Sequence, residues 1–104
     1  MSDRVLTEDG PTIEIEAAIV TFLITGDLGG GTIELQRLID GGDRNNDDDW
    51  ILIQDADEAA VFTEAPSGGN YDLGGFTDVR GFLTGSTGAN LEYHLRGRYY
   101  FGHE

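Results

Sequence analysis

The chain has 104 residues and no cysteine, and its 20 acidic side chains outnumber six basic ones to give a formal net charge of −14. This length allows one domain with a single modest core, and the missing cysteines exclude disulfides, thiol nucleophiles and thiolate metal sites. The charge disfavours nucleic-acid backbones and anionic membranes as partners, and no apolar run reaches the roughly 18 residues of a membrane helix.

The charge is unevenly distributed along the chain. Residues 1–78 hold eighteen acids and three arginines, a net charge of −15, whereas residues 79–104 hold two acids and three arginines, a net charge of +1. The C-terminal quarter is therefore expected to offer partners a different surface from the rest of the chain.

The N-terminal part predicts an arm followed by a long strand. We expect residues 1–10 to form a loose arm or a short edge strand, and residues 11–104 to form the domain. Apolar and polar side chains alternate over residues 12–24, as in a half-buried strand. The apolar series changes parity at Ala17-Ala18. A bulge or a strand break is expected there, because one extra residue moves every later side chain to the other face.

A β-hairpin with a long acidic loop is predicted over residues 31–53. Its first strand alternates, and its second strand, residues 50–53, is an apolar run typical of a strand covered on both faces. The loop 43–49 begins like a calcium-binding loop. However, Asp48 stands where such loops have glycine, and Gln54 stands where they have a bidentate glutamate. We therefore expect an exposed, mobile turn and no metal site.

Further strands are predicted toward the C-terminus. Residues 59–63 and 79–84 are β-rich runs, whereas residues 66–75 have the composition of turns and loops. The last strand alternates most cleanly and carries Gly97 at an apolar position. A glycine at such a position predicts a bulge or the close approach of another backbone.

Many short strands between glycine-bearing turns predict an all-β fold. We expect a single antiparallel β-sandwich, for which jelly-roll and immunoglobulin-like topologies are both open. The predicted core consists of nine apolar or aromatic side chains: Phe22, Ile33, Leu35, Trp50, Leu52, Phe82, Leu91, Tyr93 and Leu95.

Catalysis has little support in the sequence. None of the three serines and two histidines stands in a recognisable nucleophile motif. His94 falls on the polar side of the last strand, where an exposed side chain is expected and not a general base. We therefore expect no enzymatic activity and no cofactor.

Aromatic side chains suggest carbohydrate binding as another function. The candidates for a face that stacks sugar rings are Trp50, Tyr71, Tyr93, Tyr99 and Tyr100. The alternative for Trp50, at the head of an apolar strand, is an anchor in or beside the core.

Several motifs follow one another in a particular order. A strand ending in glycine (22–26) precedes Gly-Thr-Ile-Glu-Leu-Gln (31–36), an Asp-Gly-Gly turn (40–42), Trp50, and an arginine-bearing strand closed by Thr-Gly-Ser-Thr-Gly (79–88). Over residues 22–96 this order resembles small β-sandwich proteins from the structural gene clusters of tailed bacteriophages. Two features depart from that pattern: the acidic loop before Trp50 is longer, and the tail adds Tyr99, Tyr100 and Phe101.

The resemblance implies a non-enzymatic virion structural protein, in the first place a capsid decoration or cement protein that binds and stabilises the head surface. The implied partner is the major capsid protein or another virion protein, and the implied location is the virion. Exposed strand edges favour a homo-oligomer, with a trimer favoured on a capsid. No nucleic-acid or membrane partner is expected. The alternative is a receptor- or carbohydrate-binding β-sandwich module of a head or tail fibre.

The predicted partner-binding residues are Arg80, Arg96, Arg98, Tyr99, Tyr100 and Phe101. A guanidinium group forms two parallel hydrogen bonds with a carboxylate of a partner or a neighbouring subunit. The alternative for the arginines is pairing with the surplus acids of their own chain, and the sequence leaves both open.

Overall fold

The computed structural model describes residues 4–55 and 58–98, and almost all regular structure within them is β-strand. The strands in chain order are β1 (Arg4–Leu6), β2 (Gly10–Pro11), β3 (Ile15–Asp27), β4 (Thr32–Leu38), β5 (Trp50–Leu52), β6 (Gln54–Asp55), β7 (Glu58–Ala59), β8 (Val61–Phe62), β9 (Ser67–Thr84) and β10 (Asn90–Arg98). A short 3₁₀ turn, Asp47–Asp49, precedes β5. The predicted all-β class is confirmed. No helix in the described ranges is long and apolar enough to cross a membrane.

Eight strands form one antiparallel sheet in the order β1-β10-β3-β9-β4-β5, with β2 paired to β9 and β8 paired to β4. β6 and β7 form a separate two-stranded ladder. The predicted hairpin is present, since residues 36–38 of β4 pair with β5. Residues 4–6 of the predicted arm form an edge strand on β10.

The long strands β3 and β9 lie next to each other at the centre of the sheet. Their register shifts between Ala17 and Ile19, so the predicted irregularity at this point is confirmed. The ring centroids of Phe22 in β3 and Phe62 in β8 lie 5.6 Å apart, although these strands are not neighbours in the sheet. The sheet therefore folds over its own apolar face. The sandwich arrangement and its topology stay predictions.

The core contains most of the side chains that alternation predicts. Seven of the nine predicted core residues are at most 5% exposed: Phe22, Ile33, Leu35, Trp50, Leu91, Tyr93 and Leu95. Phe82 and Leu52 are only half-buried. Phe82 alternates with the fully buried Leu83 and so lies on the outward face of β9. The prediction of a second hairpin strand covered on both faces is wrong, because β5 lies at the sheet edge and Ile51 is 44% exposed.

The predicted loop over residues 66–75 is also wrong, because β9 already begins at Ser67. The glycines here serve close packing between strands. A Cβ on Gly68 would overlap the carbonyl oxygen of Phe22, and one on Gly69 would lie 2.9 Å from the Tyr71 hydroxyl. Glycine therefore lets β9 approach β3 and its own aromatic neighbour more closely than any other residue allows.

Gly97 is a second case of close approach. β10 pairs with β3 in unbroken register through this position, so no bulge is present. A Cβ on Gly97 would overlap the Cβ of Ala17. The close neighbour is therefore a side chain and not the backbone that the sequence predicts.

Candidate functional site

Arg80, the first of the predicted partner-binding residues, is held inside the protein and is 3% exposed. Its guanidinium carbon lies 4.4 Å from the ring centroid of Trp50 and 4.9 Å from that of Phe82. The Nε atom donates to Gln36 Oε1 at 2.8 Å, and Nη2 donates to Asp47 Oδ1 at 3.2 Å. The cation is thus surrounded by two aromatic rings, an amide and a carboxylate.

This enclosure follows from the alternation of β9. Val79 and Leu83 point into the core and are fully buried, so Arg80 and Phe82 point to the opposite, outward face. There the hairpin loop and Trp50 cover the guanidinium. Arg80 is therefore not available to a partner's carboxylates in this arrangement. Pairing within the chain, the alternative that the sequence left open, is what the structure shows for this residue.

The acidic loop 43–49 that covers Arg80 is organised by its own hydrogen bonds. The Asn46 side chain accepts from the Asp48 amide at 3.1 Å, and the Asp49 carboxylate accepts from the Asp43 amide at 2.8 Å. The Trp50 indole nitrogen donates to the Arg44 carbonyl at 3.1 Å. Residues 43–48 are exposed, as predicted, whereas the mobility of the loop stays a prediction. Among the described residues, no group of three or more acidic or histidine side chains could hold a metal ion.

A different outward face carries Arg96. In β10, Tyr93 and Leu95 point into the core, so His94 and Arg96 point away from it. Arg96 pairs in register with Thr21 of β3, and His94 pairs with Leu23. These residues line an open groove of about 480 Å³, and we call its lining the arginine face: Thr21, Leu23, His94, Arg96 and Gly97.

The arginine face combines apolar and polar groups. Leu23 is 48% exposed, which is unusual for a leucine in the middle of a strand. The Thr21 hydroxyl donates to Asn70 Oδ1 at 2.6 Å and thereby links β3 to β9 under the groove. Arg96 stands exposed beside these groups.

The arginines differ in how their charge is engaged. Arg44 is exposed and donates to Asp78 Oδ2 at 2.9 Å. Arg37 is half-buried and donates to the Leu73 carbonyl at 3.3 Å. Of the four arginines whose side chains the structure describes, Arg96 is the one that is exposed without an ion pair to another described residue.

The structure does not describe the remaining predicted partner-binding side chains. The backbone of Arg98 ends β10 opposite Ile19, and its side chain lies outside the described part of the molecule. Tyr99, Tyr100 and Phe101 also lie outside the described residues.

The aromatic candidates for carbohydrate binding are largely interior. Trp50, Tyr71 and Tyr93 are 5%, 7% and 3% exposed, and the Tyr93 hydroxyl accepts from the Ile13 amide at 3.0 Å. Trp50 is an anchor beside the core, since its ring stacks on Arg80. These three side chains therefore provide no exposed platform for a sugar ring.

Sequence reasoning missed a contact that joins the N-terminal segment to the turn before β10. The Asp9 carboxylate accepts hydrogen bonds from the Ser86 hydroxyl, the Ser86 amide and the Gly85 amide. The bonds from Ser86, followed by that from Gly85, lower the pKa of Asp9 from its ordinary value. Ser86 thus donates to this carboxylate through both its hydroxyl and its amide. An Asp-Gly pair before a strand is a turn signal, but its contact lies more than seventy residues away and has no local signature.

Comparison with protein-family models, curated proteins and solved structures finds no match to this chain. The resemblance to phage structural proteins therefore stays a prediction from the residues that carry it. Function has to be inferred from the geometry of the faces described above.

Proposed function

We propose that this chain is a non-enzymatic virion structural protein, of the capsid decoration or cement type, that binds the head surface through its arginine face. The observation that supports this best is the exposed Arg96 on that face, which has no ion pair among the described residues of a strongly acidic protein. The motif resemblance over residues 22–96 supports the same function.

The chemistry of the arginine face suits a carboxylate-bearing protein surface. A guanidinium forms short, charge-assisted hydrogen bonds to a carboxylate, and these strengthen when water is excluded around them. Leu23 and the aliphatic stem of Arg96 supply apolar area that excludes such water. A partner surface with one or more acids beside an apolar patch therefore fits this face.

The overall charge adds orientation to this contact. At −14, most approaches of the protein to an acidic surface are repelled. An approach through the arginine face meets less repulsion, so complementary charge selects the docking orientation more than it adds affinity. We also propose a homo-oligomer, with a trimer favoured, because β5 leaves a sheet edge for a neighbouring copy.

The test is binding of the purified protein to undecorated capsids, measured by co-sedimentation. Arg96→Glu should reduce binding by tenfold or more, since it reverses the charge on this face. Arg98→Glu, two residues further along β10, is expected to have the same effect. The matched comparison is Arg96→Gln with Arg44→Gln, which remove the same charge from exposed side chains on different faces. Arg44→Gln should change binding less than about threefold, because Arg44 is already paired with Asp78.

Two results would contradict the proposal. Equal losses for Arg96→Gln and Arg44→Gln would show that only net charge matters. No capsid binding by the wild type, together with retention on a glycan array, would favour the carbohydrate-binding alternative. Sedimentation equilibrium at high protein concentration tests the oligomer, and a strict monomer would remove self-association from the proposal.

A further inference from the structure

Phe76 is the most exposed of the large apolar side chains that the structure describes, at 57%. It lies in β9 between Asp72 and Thr77, in a segment that is not paired with β3. Gly74 in this segment has a φ of +79°, and its amide donates to Asp72 Oδ1 at 3.0 Å. The backbone is therefore shaped locally to turn out of the regular strand and present Phe76.

An open hollow lies on each side of Phe76. One hollow, of about 160 Å³, is lined by Arg37, Asp40, Leu73 and residues 74–77. The other, of about 260 Å³, includes Glu16, Ile39, Asp40 and Asp78. Ile39 is 38% exposed, so a second apolar side chain belongs to the same surface. Two apolar groups thus stand among hollows that are large enough for side chains of a partner.

The surroundings of Phe76 carry an excess of negative charge. Asp40 and Glu16 are exposed, and they form no ion pair within the described structure. Two arginines contact residues that line these hollows and are engaged there: Arg44 pairs with Asp78, and Arg37 donates to the Leu73 carbonyl. A partner that brings positive charge is therefore favoured here, and an anionic partner is repelled.

This surface and the arginine face are separate, since they share no lining residue. Leu23 and Arg96 lie on β3 and β10, whereas Phe76 and Asp78 lie on β9. Glu16 pairs with Asp78 near the start of β3, seven residues before Leu23.

We propose that Phe76, Ile39, Asp40 and Glu16, here called the Phe76 surface, bind an extended segment of another protein in which basic and apolar side chains alternate. The apolar side chains of the segment cover Phe76 and Ile39, and its arginines or lysines pair with Asp40 and Glu16. A second copy of this chain is disfavoured as the occupant of this surface, because only six of its side chains are basic and 20 are acidic. This inference is independent of the proposed function.

The test uses fluorescence anisotropy with two short labelled peptides, one of alternating arginine and leucine and one of alternating arginine and glycine. The arginine–leucine peptide should bind at least tenfold more tightly, because only it can cover the apolar side chains. Phe76→Ser should remove most of this difference. Val5→Ser is the matched control, since Val5 is 53% exposed and pairs with Glu92 of β10, outside the Phe76 surface. It should leave binding unchanged.

Charge is tested with a second matched pair, Asp40→Arg and Glu92→Arg. Both residues are exposed and both substitutions change the net charge equally. Asp40→Arg should weaken binding of the arginine–leucine peptide about tenfold more than Glu92→Arg does. The proposal would be overturned by any one of three results: Asp40→Arg and Glu92→Arg weaken binding equally, the two peptides bind equally, or Phe76→Ser and Val5→Ser have equal effects. Each result would leave only attraction by net charge. Self-association of the wild type would also overturn the proposal if both Phe76→Ser and Arg96→Glu abolished it. The occupant would then be a second copy.

Discussion

Arg80→Ala should be the most destabilising single substitution on the outward face of β9. The change removes a cation that lies between the Trp50 and Phe82 rings and donates to Gln36. A hydrogen bond from a charged group contributes about 1.5–3 kcal/mol, and a desolvated cation–π contact contributes about 2 kcal/mol. Because such terms are not additive, we expect a total loss of about 3–5 kcal/mol in the free energy of unfolding. This is a large part of the roughly 5–15 kcal/mol that stabilises a domain.

The ion pair with Asp47 should contribute little to this loss. The Asp47 side chain is 74% exposed, so water and salt screen its charge. Asp47→Asn is therefore the control, and it should cost less than about 1 kcal/mol. The two substitutions together separate the enclosed contacts of Arg80 from its exposed ion pair.

Urea unfolding measures both effects. Trp50 is the single tryptophan of the chain, so its fluorescence reports directly on the contact that is removed, and circular dichroism provides a probe that does not depend on it. Arg80→Ala should lower the urea midpoint by more than about 1 M at an unchanged slope. The reasoning would be refuted if Arg80→Ala cost under about 1 kcal/mol, or if Asp47→Asn cost as much as Arg80→Ala.

Three further predictions follow from the fold. Gly97→Ala should lower the free energy of unfolding by about 1–3 kcal/mol in the same urea assay, because the new methyl group overlaps Ala17. The double variant Gly97→Ala/Ala17→Gly should recover much of this loss. Equal losses in the single and the double variant would exclude this contact as the cause. Asp9→Asn should flatten the acid side of the stability curve. Hydrogen bonds from Ser86 lower the pKa of Asp9 in the folded state, so its stabilisation is present above the ordinary pKa of 3.8 and is lost as the pH falls through the lower folded value. Thermal melting of both proteins across that acidic range measures this difference, and parallel curves would contradict it. Calcium should raise the melting temperature no more than a monovalent salt of equal ionic strength does, because a specific ligand of the folded loop 43–49 would give a saturable rise.

Local pattern was sufficient where neighbouring residues determine the structure. The parity change at Ala17-Ala18 indicated the irregularity in β3, because the number of residues between apolar positions fixes which face each side chain takes. The hairpin of β4 and β5 followed from the same alternation around a loop with turn residues. Most of the predicted core also followed from the alternation of inward and outward side chains along each strand.

Contacts between distant segments could not be predicted in the same way. The composition of residues 66–75 indicates a loop, and only the approach of Phe22 shows that Gly68 serves strand packing. The partner of Arg80 was undetermined because 20 acids compete for it, and its main contacts are two aromatic rings and an amide. The exposure of Leu23 and Phe76 runs against the general preference of apolar side chains for the interior, so hydropathy alone could not place them on the surface.

The pairing of β3 with β9 has a consequence for synthesis. Residues 15–24 form the centre of the sheet with residues 67–79, which follow much later in the chain. Sheets built from such remote pairings fold slowly. The two segments have to come together, at a cost in the conformational entropy of the chain between them, before the contacts of the paired strands can compensate that cost. On the ribosome, the apolar β3 therefore emerges well before the strand that protects one of its edges. At this stage, nascent chains repel one another through the acidic side chains around β3. The negative charge therefore opposes aggregation of the nascent protein as well as solvating the folded one.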